Sequence, residues 1–182
     1  MGREVLLIID MQKDFLKFHN LHPKERQKQL IHKLQSLLKY ARDRKVPIIH
    51  LIDSHKDKHD TQIQRIGISH CLAGSEGEEV IDELKPNRKD YIVRKPRYGG
   101  WYKTDLEKVL KKLKAKTLVF TGILADCCIQ LCAYEAWIRD FEVTIIEDCI
   151  DSRSDRRKAN AIFWMKRFLK GAKFIKSEEW MA

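Results

Sequence analysis

The segment Leu118–Trp137, "LVFTGILADCCIQLCAYEAW", decides the fold. Its first half is a short apolar run closed by Gly122, the pattern of a strand buried on both faces. Its second half opens at Asp126, a residue type that caps helix N-termini, and continues as a helix to about Arg139. Three of the chain's five cysteines fall in this segment, and Cys127 and Cys128 are adjacent. Thiols at that turn fit core packing, a metal site, a redox pair or a nucleophile.

The same alternation runs outward in both directions. "EVLLIID" (4–10) and "VPIIHLID" (46–53) read as buried strands, each ending in an acid. "DYIVRK" (90–95) is a third strand ending at Lys95, "KTLVFTG" (116–122) a fourth, "FEVTIIED" (141–148) a fifth, and "AKFIK" (172–176) a last one. Between them, Leu30, Ile31, Leu34, Leu37, Leu38 and Ala41 mark one face of a helix. "EEVIDEL" (78–84) reads as a short helix stopped by Pro86. Thr104 and Glu107 form a capping box before a helix marked by Leu106, Val109, Leu110 and Leu113. A further helix spans about 153–170 and stops at Gly171. Strands alternating with amphipathic helices predict an α/β fold: a three-layer αβα sandwich, Rossmann-like, around a mainly parallel sheet of five to six strands. With no linker or repeat, residues 1–182 read as one domain. The stretch 54–75 reads as a long, polar, irregular loop, and such loops are usually functional.

Bulk properties narrow the function classes. The chain has 182 residues, 43% hydrophobic and 34% charged, which suits a soluble globular protein. No apolar run approaches the ~20 residues that span a bilayer, and the opening "MGREVLLIID" lacks a signal-peptide pattern. The expectation is a cytoplasmic protein with reduced thiols, without a membrane partner. The net charge of +10 raises the question of nucleic acid. The basic residues, however, are spread through "KTDLEKVLKKLKAK" and "DRRKANAIFWMKRFLKGAKFIK" at helical spacing. They read as solvated helix faces, and no nucleic-acid partner is expected.

In open α/β sheets, ligands bind beyond the carboxyl ends of the strands. The first strand delivers Asp10 there, the second Asp53 and His55, the third Lys95, and the fourth Gly122 followed by Cys127 and Cys128. A carboxylate, an amine and a thiol from three strands therefore meet at one edge. A cysteine in a first helical turn has its thiolate favoured by the helix dipole. A neighbouring lysine adds to this, and an aspartate can accept the thiol proton and return it to a leaving group. The set suits acyl transfer at an amide. The same residues also fit packing thiols and strand-end ion pairs, and topology does not choose between Cys127 and Cys128.

The blocks themselves resemble the isochorismatase-like cysteine hydrolases, and the nicotinamidases most closely. "LLIIDMQKDF" is similar to their opening strand, with Asp10 as catalytic acid or base. "VRKPRYGGWYKTDLEKVL" resembles their lysine segment, which picks Lys95 over Arg94. "TGILADCCIQLCAYEAWIRDFEVTIIEDC" resembles their nucleophile block, which picks Cys128. The resemblance further implies a cis peptide at Ile123–Leu124, aiming the N–H groups of Leu124 and Cys128 at one point as an oxyanion hole. It departs from the family pattern at Ala125 and Cys132, where threonine is usual. In nicotinamidases, an Asp-x-His and a later His-Cys bind a divalent metal. The resemblance carries Asp53, His55 and His70 over as ligands for Zn²⁺, Mn²⁺ or Fe²⁺, with no organic cofactor.

Phe15, Tyr98, Trp101 and Tyr134 are candidate pocket walls for a flat ring. Cys71 is read as a pocket neighbour and Cys127 as an inert first-turn residue. His19, His22, His32 and His50 are read as surface or packing residues. The implied reaction is hydrolysis of nicotinamide to nicotinate and ammonia through a thioester. Another small amide or carbamoyl compound is the alternative, and a non-catalytic binding protein is a third reading. Isochorismate fits less well, because vinyl-ether hydrolysis in this superfamily does not need the cysteine. A homo-oligomer is expected from the resemblance.

Overall fold

The computed structural model describes residues 3–18 and 24–182; His19 and His22 lie outside them. Six strands form one sheet: β1 (Arg3–Ile9), β2 (Ile48–Asp53), β3 (Tyr91–Lys95), β4 (Ala115–Ile123), β5 (Glu142–Asp151) and β6 (Lys173–Ile175). Their spatial order is β3-β2-β1-β4-β5-β6, and every pairing is parallel. The helices are α1 (Lys24–Asp43), α2 (Thr61–Ile66), α3 (Leu106–Leu113), α4 (Gln130–Trp137), α5 (Asp155–Phe168) and α6 (Ser177–Met181).

Strand periodicity sorts the core into two layers. Val5, Leu7 and Ile9 of β1 pack with Leu110, Ala133 and Met165 of α3, α4 and α5. Leu6 and Ile8 point the other way, onto Leu34 and Leu37 of α1, with Trp180 of α6 at the margin. Buried on both faces, the central strands read as continuous apolar runs. Strand order reverses between β1 and β4, so the crevice of a doubly wound sheet opens beyond their carboxyl ends. Gly122, at φ 108°, lets β4 lie against β1 there: a Cβ would sit 2.1 Å from the Ile9 carbonyl oxygen.

Four local expectations are corrected. Residues 78–84 do not form a helix but two short 3₁₀ turns, Glu76–Glu78 and Asp82–Leu84. The backbone between them pairs with the chain after β1 instead, through Lys13 N–H to Glu79 and Ile81 N–H to Met11. The capping box at Thr104 and Glu107 is not closed. Thr104 accepts from the Leu106 N–H at 3.2 Å, but the Glu107 carboxylate is taken by the Trp101 indole at 2.9 Å. Asp126 caps no helix; the turn Ala125–Ile129 is π-helical and leads into α4. The stretch 54–75 is not wholly irregular, since it holds α2, capped by Asp60 and ended at Gly67, φ 75°. His32 is exposed on α1, and His50 is buried on β2 beside Asp90.

Candidate active site

Four strand ends build the site. β1 stops at Ile9, and Asp10 follows in the left-handed region at φ 54°. β2 and β3 pair so that Asp53 lies opposite Lys95. The period of two on β3 separates the lysine from its neighbour: Lys95 is fully buried, whereas Arg94 turns outward to Glu78. β4 ends at Ile123, the Ile123–Leu124 peptide is cis, and Cys128 sits in the turn that follows.

Asp10, Lys95 and Cys128 come together. Lys95 Nζ lies 2.9 Å from Asp10 Oδ2, 3.3 Å from Asp53 Oδ1 and 3.6 Å from Cys128 Sγ. All four side chains are buried. Burial opposes the lysine's charge, but Asp10 and Asp53 outweigh it and hold the ammonium well above its usual range. Burial also lifts the Asp10 carboxyl to about 6, with Lys95 pulling down and Asp53 pushing up. The hydrogen bond to Cys127, burial and the Asp10 charge keep the Cys128 thiol protonated at rest, against the pull of Lys95. The resting state is thus a thiol beside a carboxylate of raised proton affinity, with a fixed ammonium touching both.

Behind this group, Asp53, His55 and His70 offer ligand atoms that all lie within 4.8 Å of one another, and all three are buried. His55 Nε2 and His70 Nε2 face the same oxygen, Asp53 Oδ2, at 3.2 and 3.1 Å. On the far side, His70 Nδ1 donates to the Ile68 carbonyl at 2.8 Å, and His55 Nδ1 lies 3.2 Å from Asp60 without a hydrogen bond. A nitrogen that donates on its far side turns a lone pair inward. Two imidazole nitrogens and a carboxylate oxygen therefore meet at one point, a donor set that a divalent cation satisfies, so these residues fit a metal. Burial works against the Asp53 charge, but Lys95 and the two histidines hold its carboxyl far below the ordinary range.

Several supporting residues carry no sequence signal of their own. Gln12, fully buried, clamps Asp53 by accepting from its N–H and donating to its carbonyl, both at 2.8 Å. Asp60 caps α2, pairs with Arg97 at 2.9 Å and lies 3.2 Å behind His55. Residues 70–73 reach the end of β2 because His55 pairs with Cys71 and Ala73 through the backbone. Each of these partners is set by a contact more than ten residues away or by a loop conformation.

A cavity of about 190 Å³ opens onto the group. Asp10, Asp53, His70, Cys127 and Cys128 contribute to its lining; Phe15, Ile66, Ile68, Tyr98 and Leu124 form its apolar sides. Arg153 and Arg157 line its exposed side. Arg157 is neutralised by Asp126, which also accepts from Ser152. Phe15 and Tyr98 are therefore wall residues, but Trp101 and Tyr134 are not: both pack on the core layer of α3–α5, where Trp101 bonds Glu107 and the Tyr134 hydroxyl accepts from Gln130. Cys71 does not line the cavity either; it is fully buried, which pushes its thiol up. Cys127 does line it. Ala125 is buried, and Cys132 donates to the Tyr98 carbonyl at 3.5 Å, anchoring that wall.

A doubly wound parallel sheet with a thiol, an amine and carboxylates at its switch point has the architecture of the isochorismatase-like cysteine hydrolases. The isochorismatase domain family matches residues 4–179, and the chain belongs to that family. Among its relatives, the isochorismatase family protein YaaI of Bacillus subtilis is 28% identical, covering 91% of this chain and 90% of that protein. A "probable inactive nicotinamidase" of Arabidopsis thaliana is 26% identical, covering 96% and 93%. Among solved structures, N-carbamoylsarcosine amidase from Thermoplasma acidophilum superposes with a TM-score of 0.87 at 28% identity, covering 97% of each chain. A pyrazinamidase of Pyrococcus horikoshii in complex with zinc gives 0.84 at 25%, covering 96% and 99%. No helix among the described residues is long and apolar enough to cross a membrane.

Proposed function

We propose that this protein hydrolyses a small amide through a thioester, with nicotinamide as the first substrate to test. The observation that carries the reading is the contact of Lys95 with both Asp10 and Cys128 at the floor of a small cavity. Cys128 Sγ attacks the amide carbonyl carbon while its proton passes to Asp10. Lys95 steadies the developing thiolate. The N–H groups of Leu124 and Cys128 hold the oxyanion; donors of this kind contribute roughly 3–4 kcal/mol each to the transition state. Asp10 then gives its proton to the departing nitrogen, the C–N bond breaks, and ammonia leaves. Water attacks the thioester, Asp10 takes a water proton and returns it to the sulfur, and the carboxylic acid is released.

Asp53, His55 and His70 would hold a zinc, manganese or iron ion, which supplies a Lewis-acidic position for a substrate nitrogen when bound. The apolar sides suit a planar ring, and the zinc-bound pyrazinamidase among the structural neighbours supports this choice. A second reading, an N-carbamoyl acid, is favoured by Arg153, an exposed guanidinium lining the cavity that pairs with no carboxylate among the described residues. The amidase among the neighbours acts on such a compound. The test is ammonia release from nicotinamide, N-carbamoylsarcosine and simple aliphatic amides, by wild type and by Cys128→Ala. Turnover of one of them that vanishes in the variant is expected. Tight binding of these compounds without turnover would favour the non-catalytic reading, and full activity in Cys128→Ala would overturn the mechanism.

A further inference from the structure

A second cavity, of about 550 Å³, lies at the opposite end of the sheet from the catalytic group. It opens where β2 and β3 begin, against the end of α1, and shares no lining residue with the catalytic cavity. Val46, Pro47, Ile48 and Leu113 form its apolar part. Tyr91, the first residue of β3, adds a ring, and the Lys112 ammonium lies 5.7 Å from the centre of that ring.

The charge around this cavity is one-sided. Arg42, Lys45, Arg88 and Lys89 line it against a single carboxylate, Asp90. That carboxylate is already satisfied: it accepts from Arg42 at 2.7 Å and from the Asn87 N–H at 2.9 Å. Lys45, Arg88 and Lys89 are exposed and pair with no carboxylate among the described residues. Lysines elsewhere on the surface do find one, as Lys39 does with Asp43, Lys111 with Glu107 and Lys116 with Glu142. Arg42 adds a buried Nε–H that meets no acceptor among the described residues. Such a donor is costly to leave unmet, and an acceptor from outside the chain relieves it. Cations at the end of α1 complement the helix dipole, which accounts for Arg42 and Lys45. It does not account for Arg88 and Lys89, which arrive on the turn before β3. Two segments distant in sequence thus bring unpaired cations to one apolar hollow.

We propose that this cavity binds a nucleoside diphosphate, its base against Tyr91 and the apolar part and its phosphates on Lys45, Arg88 and Lys89. The volume falls within the range of about 300–1,000 Å³ that holds ligands of this size. Three unpaired cations call for more than one negative charge, and the apolar part calls for a flat body. An inorganic anion lacks the body, and a small neutral amide lacks the charge. The site is independent of the reaction assigned to Cys128, since nothing in it involves turnover.

Equilibrium dialysis of the full chain against ADP tests this. One ADP per chain is expected to bind saturably, with an affinity that falls as salt rises. Adenosine and pyrophosphate, which each carry half of the recognised chemistry, should bind at least about tenfold more weakly. Lys45→Ala and Arg88→Ala should each weaken ADP by about tenfold with unchanged melting curves, since both side chains are exposed. Two controls should bind ADP as the wild type does: Lys116→Ala, which removes an exposed cation paired with Glu142, and Arg153→Ala, at the catalytic cavity. No ADP binding at millimolar concentration, or equal affinity for pyrophosphate, would overturn the proposal. So would the same loss in Lys116→Ala, or a loss in Arg153→Ala with none in Arg88→Ala.

Discussion

Cys127 and Cys128 differ by one position and share a cavity, yet only Cys128 lies within 3.6 Å of the Lys95 ammonium. Cys128→Ala should lower turnover by at least about a thousandfold, since the thiol beside Lys95 is the group that acts with Asp10. Cys127→Ala should keep activity within about tenfold, and ammonia release under substrate saturation distinguishes the two. Under the proposed mechanism, Asp10 sets the acid side of the pH profile. In that mechanism it acts as a base when ionised, and burial raises its carboxyl to about 6. The kcat/KM should therefore fall as pH drops through about 6, where the carboxyl gains a proton and can no longer take one from the thiol, and should level off above it. A profile whose acid limb lies near pH 4 would mean an Asp10 without that shift.

Two elements carry predictions of their own. At the end of β4, Gly122→Ala places a methyl 2.1 Å from the Ile9 carbonyl at a positive φ. The backbone on both sides belongs to the central strand pair, so relief by a small shift is blocked. A loss of more than about 2 kcal/mol in denaturant unfolding is expected. At the start of α2, Asp60 holds His55 from behind, and removal of such an outer partner typically costs ten- to a hundredfold in metal affinity. Asp60→Ala should show that loss in zinc competition titrations while Cys128 remains reactive to iodoacetamide. The strands were legible from their apolar runs, and the strand-end acids, lysine and thiols from where those runs stop. The 78–84 segment misled because its spacing of Val80, Ile81 and Leu84 suits a helix, while its backbone partners, residues 11–13, lie far off in the chain. Trp101 and Tyr134 misled for a similar reason: sequence places them near the site, but only packing decides which way a ring turns.

For the whole molecule, the proposed metal site at Asp53, His55 and His70 would couple ion binding to stability. Asp53 is fixed by β2, His55 by the start of the following loop, and His70 by a segment that returns to β2 only through backbone pairing. An ion gathering all three ties that loop to the sheet. A ligand at a hundred times its dissociation constant adds about 2.7 kcal/mol. Chelation should therefore lower the melting temperature, and added zinc or manganese should restore it, irrespective of turnover. Gln12, Asp60 and Arg97 were invisible in the sequence because their roles arise only when this loop closes.

Asp53 gives one oxygen to Lys95 and the other to both imidazoles. That single side chain is a junction between two chemistries. By thermodynamic reciprocity, whatever a cation at the imidazoles does to proton affinity at the sulfur end, protons there must do in equal measure to the cation's hold. With a cation bound there, titrations of acid and of metal become two views of one surface, and neither curve can be interpreted with the other left uncontrolled.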